Sequence, residues 1–181
     1  MQRSMSTPLR PARRRALPDV PTLGGVIAGL MAGAVMVLLS PLLSLVTGIN
    51  LWVPPKLIGA TMPWVDGAAA TVPGFDVVPV LTGTLLHFVV SALLGAMFGL
   101  FFRGLRLPSA FGLPVLIGLC YGIVIFLGAF FVALPLINPT LASSNPGPVL
   151  AQNVVFGVCL GIFYGIVRPR PYVEGGPNEM D

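Results

Sequence analysis

PVLTGTLLHFVVSALLGAMFGLFF, residues 79–102, carries no formal charge and stops at Arg103. At ~1.5 Å per residue such a run spans the ~30 Å hydrocarbon layer of a bilayer as one α-helix. Three further runs obey the same rule: 22–46, 111–136, bounded by Pro135, and 149–167, bounded by Arg168, Pro169 and Arg170. The chain is 55% hydrophobic and 9% charged, with a mean hydropathy of +0.92. A soluble domain of 181 residues needs a charged surface, whereas here the charges cluster between apolar runs. The predicted fold is all-α: a polytopic transmembrane four-helix bundle.

Residues 1–21 hold Arg3, Arg10, Arg13, Arg14 and Arg15 among four prolines and have too little apolar content for a core, so they read as a disordered basic arm. The apolar run that follows is too long for the h-region of a signal peptide. Residues 22–168 form the transmembrane domain and 169–181 a tail. Of the ten Lys and Arg residues, nine fall in the arm, in the turn with Arg103 and Arg106, or at Arg168 and Arg170; Lys56 alone falls on the opposite side. Flanking Lys and Arg stay cytoplasmic, which predicts both termini on the cytoplasmic side. The pI of 9.7 therefore reports topogenic arginines, and no nucleic-acid partner is expected.

The connection 47–78 is long for a membrane hairpin. Pro55 can start a short helix and Pro63 can stop it, predicting about two turns near residues 55–62 at the membrane interface. Trp52 and Trp64 would anchor it in the headgroups, with Lys56 reaching to water. The remainder, with Asp66, Gly67, Gly74 and Asp76, reads as exposed loop.

The second and fourth spans share a pattern at constant shift. His87, Val89, Ser91, Gly95 and Gly99 match Asn153, Val155, Gly157, Gly161 and Gly165; Gly29 and Gly33 of the first span match Gly118 and Gly122 of the third; Ile49-Asn50 matches Ile137-Asn138. Two repeated helical hairpins of like orientation are expected. Small residues four apart, including Gly25, Gly29, Gly33, Gly95, Gly99, Gly118, Gly122, Gly157, Gly161 and Gly165, predict helix contact faces, because association in lipid relies on close backbone approach. Packing within one bundle is the expected use, with a homo-oligomeric seam as the alternative.

No acid lies inside a span, and neither G-x-S-x-G, H-E-x-x-H nor a phosphate-binding loop occurs. Neither an enzyme, a cofactor nor a metal site is expected. Cys120 and Cys159 sit deep in apolar runs and read as packing residues. The chain has one histidine, which precludes a multi-histidine metal site within one copy. His87 is expected to fix helix register through a hydrogen bond, or to belong to an outward polar pocket with Ser91, Tyr121, Gln152, Asn153, Asn50 and Asn138. In that reading His87 and Asn153 point inward at similar depth and share a network.

The segment 52–61 (WVPPKLIGAT), Leu86-His87 with its glycine stripe, 134–139 (LPLINP) and Phe156-Gly157 through Tyr164 together resemble uncharacterised four-span integral membrane proteins of bacteria. That resemblance touches all four spans and the first outer loop, and implies an inner-membrane location without an activity. Such relatives often carry histidine where Ala151-Gln152 stands here, which weakens a paired-histidine mechanism. The expected role is a non-enzymatic structural or accessory membrane protein, contacting membrane lipid and associating with itself or a larger assembly. The alternative is transport or small-ligand binding through the outward pocket.

Overall fold

The computed structural model describes residues 21–105, 112–143 and 145–167. The basic arm, apart from Pro21, the turn with Arg106 and the tail 169–181 lie outside the described residues. Among the described residues four helices are long and apolar enough to cross a membrane, so the chain is a multi-pass, all-helical membrane protein. They are α1 (Pro21–Thr47), α4 (Val77–Gly104), α5 (Gly112–Gly128) with its continuation, and α8 (Pro146–Val167). Short helices α2 (Val53–Gly59) and α3 (Gly67–Thr71) fill the connection between α1 and α4. Beyond α5, a π-turn at Ala129–Ala133 leads into α6 (Leu134–Ile137), followed by α7 (Pro139–Ala142).

The helix boundaries follow from local chemistry. α1 runs unbroken through Pro41 and ends where Gly48 turns to φ 69°, a left-handed conformation that glycine adopts without a Cβ penalty. Asp76 caps α4 by accepting a hydrogen bond from the Val78 N–H at 3.3 Å. α8 starts a few residues earlier than apolar content alone predicts, because Asn145 Oδ1 accepts from Gly147 N–H at 2.9 Å and Pro146 needs no partner in the first turn. In the third span the Leu134 N–H reaches five residues back to the Ala129 carbonyl. Pro135, next in the chain, has no N–H to offer, and the wider turn carries the helix past it.

Two antiparallel hairpins, α1 with α4 and α5 with α8, are closed by the same backbone contact. A methyl group added at Gly29 would collide with the Ser91 carbonyl oxygen and lie 2.9 Å from Gly95 Cα. One added at Gly118 would collide with the Gly157 carbonyl oxygen and lie 3.2 Å from Gly161 Cα. Gly29 and Gly118 correspond in the repeat, as do Ser91 and Gly157, and Gly95 and Gly161. The internal repeat thus encodes one helix crossing, used twice. In lipid there is no hydrophobic effect between helices, so this close approach supplies the dispersion contact that holds each hairpin.

The hairpins join through α1 and α8. Ala28, Ala32 and Met36 of α1 pack with Phe98 and Phe102 of α4 and Phe156, Leu160 and Tyr164 of α8. Phe98 and Tyr164 meet edge to face at 5.4 Å. Tyr121 of α5 packs against the same cluster, lying 5.3 Å from the Phe98 ring and donating its hydroxyl to the Leu94 carbonyl at 2.9 Å. Outward, Leu81, Leu85, Val89, Leu93, Met97 and Leu100 of α4 form an exposed apolar stripe. That is the surface expected against hydrocarbon, and it accounts for the exposure of large side chains that a soluble bundle would cover.

Candidate functional site

The polar side chains that enter the spans are the candidates for chemistry. His87 lies on the face of α4 that meets α1, with Nε2 3.1 Å from the Gly33 carbonyl oxygen. A carbonyl only accepts, so a hydrogen bond here is donated by a proton on Nε2. Ser91, one turn along, is buried against Gly33, where an added Cβ would lie 2.7 Å from Ser91 Oγ. The imidazole and hydroxyl therefore fill the space that the glycine leaves.

Asn153, the counterpart of His87 in the second hairpin, turns its amide along its own helix and donates to the Val149 carbonyl at 2.8 Å. Its backbone oxygen, rather than its side chain, meets the partner helix at Gly122. The repeat therefore preserves the crossing but not the polar contact made there.

Asn50 and Asn138, also expected in one network with His87, act elsewhere. Asn50 Oδ1 accepts from the Trp52 N–H at 3.1 Å, capping the approach to α2. Asn138 is buried and donates Nδ2 to the Leu57 carbonyl at 2.7 Å, tying the end of the third span to α2. His87, Asn153, Asn50 and Asn138 thus bond to four separate backbone groups, and no hydrogen bond among the described residues joins one of these side chains to another.

The cap at this end of the bundle is tighter than its sequence suggests. α2 forms at Val53–Gly59, starting earlier than predicted. It lies against the beginning of α4 with glycine at the contact on both sides: a Cβ at Gly59 would strike the Pro79 carbonyl, and one at Gly83 the Pro55 carbonyl. Lys56 does not reach to water. Only 3% of it is exposed, and Nζ donates to the Val72 carbonyl at 2.5 Å. The α2 helix points this side chain beneath the 60–76 segment, where the Val72 carbonyl stands in for water. Trp52 packs edge to face on Phe75 at 4.9 Å, while Trp64 is exposed as an interfacial anchor would be. The segment read as loop contains α3, whose start is marked by Asp66 Oδ1 accepting from the Ala68 N–H at 2.9 Å. Asp66 is the signal in the sequence that a loop reading passes over.

Gln152 stands apart. It lines an open groove of about 200 Å³ between α1 and α8, together with Met36, Leu39, Leu43, Val46 and Val155. Its side chain makes no hydrogen bond to any described residue. Ser44 Oγ is buried, at 7% exposure, and likewise has no partner among the described residues. Of the remaining glycines in the predicted stripes, Gly25 meets the Gly95 carbonyl and Gly99 Cα, and Gly165 is half-buried. Cys120 and Cys159 are free thiols. Among the described residues no group of three or more His, Cys, Asp or Glu side chains could hold a metal ion.

The chain stands apart in comparison with known proteins as well. No protein-family model, curated protein or solved structure matches it.

Proposed function

We propose that this chain is a non-enzymatic protein of the bacterial inner membrane, with both termini cytoplasmic and a structural or accessory role. The observation that carries the reading is how the polar groups in the spans are used. His87, Tyr121, Asn153 and Thr84 each bond to a backbone carbonyl of the bundle. A catalytic or translocating side chain must instead face a substrate and exchange partners with it. The bonds of His87 and Tyr121 run between helices and tie their packing together, the use to which polar residues in lipid are commonly put, while those of Thr84 and Asn153 stay within their own helices. The protein then works as a rigid bundle, alone, with further copies or within a larger membrane assembly.

The unengaged amide of Gln152 supports a second reading, small-ligand binding. Native mass spectrometry from nanodiscs separates the two. A bundle that carries no small molecule other than membrane lipid is the expected result. A stoichiometric non-lipid ligand lost on substitution of Gln152 would replace the accessory role with the binding one.

A further inference from the structure

The contacts that join the two hairpins are unevenly placed along the bundle. The apolar cluster shared by all four spans draws on residues 28–36 of α1, 94–102 of α4, 117–125 of α5 and 156–164 of α8. In every span this is the part away from α2. Phe98, Phe102, Leu160 and Tyr164 are fully buried there. Toward α2 the burial falls away. Of residues 37–47 of α1 only Ser44 is buried, and none of residues 146–155 of α8 is. Phe126 and Phe130 are buried on that side, but they stand outside the shared cluster and stack on each other at 5.4 Å within the third span. The groove walled by Met36, Leu43, Val46 and Val155 lies where α1 and α8, which belong to different hairpins, part from each other.

At the surface the hairpins meet again. Asn138 caps the end of the third span, is 4% exposed, and donates Nδ2 to the Leu57 carbonyl of α2 at 2.7 Å. α2 in turn is held to the first hairpin, where Gly59 lies against the Pro79 carbonyl and the Pro55 carbonyl against Gly83. A close-packed cluster and a lipid-facing groove respond differently when the hairpins are drawn apart. Parting the rings of Phe98, Phe102 and Tyr164 forfeits many dispersion contacts at once. Widening the groove only exposes apolar walls to acyl chains, which carries no hydrophobic penalty.

We infer that the bundle is a hinge: the two hairpins pivot on the aromatic cluster and part at the α2 end, with the bond from Asn138 to the Leu57 carbonyl as the latch. Rocking of one repeat against the other is a motion that repeated membrane folds allow. It opens the space between the hairpins on the α2 side while the cluster keeps the opposite end shut. The hinge goes beyond the proposed role and is compatible with either reading of it. Met36 is the last α1 residue in the cluster. From there to Val46 is roughly 15 Å, so rotation by about 15° displaces the rim by about 4 Å.

The full chain, with Cys120 and Cys159 replaced by alanine, is spin-labelled on one exposed residue of each hairpin and reconstituted in nanodiscs. Leu45→Cys with Leu136→Cys reports the α2 end, and Leu23→Cys with Leu116→Cys the opposite end; all four leucines are exposed. Distances are read by double electron–electron resonance. With the latch intact, the α2-end distribution should be the broader of the two. Asn138→Ala, which releases the latch, should move the α2-end pair to longer distance by about 4 Å, the displacement set by the lever, and leave the opposite-end pair in place. Val155→Trp, which wedges the groove without touching the latch, should move the α2-end pair in the same direction, so the test stands even where Asn138→Ala fails to fold. Movement of both pairs together, which a general loosening gives, or an α2-end pair that stays in place in both variants overturns the hinge.

Discussion

Gly157→Ala adds one methyl group at the crossing of α5 and α8. That Cβ would collide with the Gly118 carbonyl oxygen and lie 2.9 Å from both the Cα and the N of Gly122. All three obstacles are backbone atoms of the opposite helix, so no side-chain rotation makes room and the helices must move apart. Overpacking a close-packed contact costs about 1–3 kcal/mol. Here the value should fall in the upper half of that range, because separation also forfeits dispersion along the rest of the seam. Gly128→Ala is the control, since a Cβ there meets nothing within 4 Å and glycine carries a penalty inside a helix. Reversible unfolding in mixed micelles, followed by circular dichroism or steric trapping, measures the difference. Gly157→Ala should be destabilised by about 2–3 kcal/mol relative to wild type, and Gly128→Ala should be unchanged or slightly more stable. Gly29→Ala at the corresponding place in the first hairpin should match Gly157→Ala. An unfolding midpoint for Gly157→Ala equal to that of the wild type would refute the claim that backbone contact holds the hairpins.

His87→Leu removes the bond to the Gly33 carbonyl and should cost about 0.6–2 kcal/mol in the same unfolding assay; an unperturbed variant would place the imidazole against lipid instead. Asn138→Ala releases the Leu57 carbonyl, so backbone amides of residues 56–59 should exchange with deuterium several-fold faster while those of α4 do not change. If exchange at 56–59 stays at the wild-type rate, Asn138 does not hold α2. Reporter fusions after Arg106 and after Asp181 should behave as cytoplasmic, and one within 67–74 as periplasmic; a periplasmic report from the C-terminal fusion would remove the proposed orientation.

The four spans and the two hairpins were readable from sequence because lipid demands long uncharged runs and because close crossings demand small residues at fixed spacing. Both signals are local. The pairing of Gly29 with Ser91 and of Gly118 with Gly157 follows once antiparallel hairpins are drawn from the repeat. The polar side chains were harder to place, since a shared helix face restricts direction without choosing a partner. Asn153 can satisfy its amide on the carbonyl four residues back, whereas the larger His87 reaches across to Gly33; nothing in their matched positions foretells that difference. Lys56 was misplaced for a related reason. Its depth is decided by 60–76, a segment whose course over α2 is set by tertiary contacts such as Trp52 with Phe75 rather than by periodicity. The groove at Gln152 was unreadable, because a gap between α1 and α8 is a property of two helices far apart in the chain.

The paired crossings have a consequence for how the protein is made. Each hairpin closes on backbone contacts contributed by its own two spans, so the α1–α4 pair has everything it needs to zip together once α4 has left the translocon, while α5 and α8 are still being synthesised. The aromatic side chains that join the halves, Phe98, Tyr121 and Tyr164, act afterwards, between units already formed. Insertion in this order leaves no span waiting unpaired in the bilayer for a partner from the far end of the chain, and it makes docking of the second hairpin onto the first the last step of assembly.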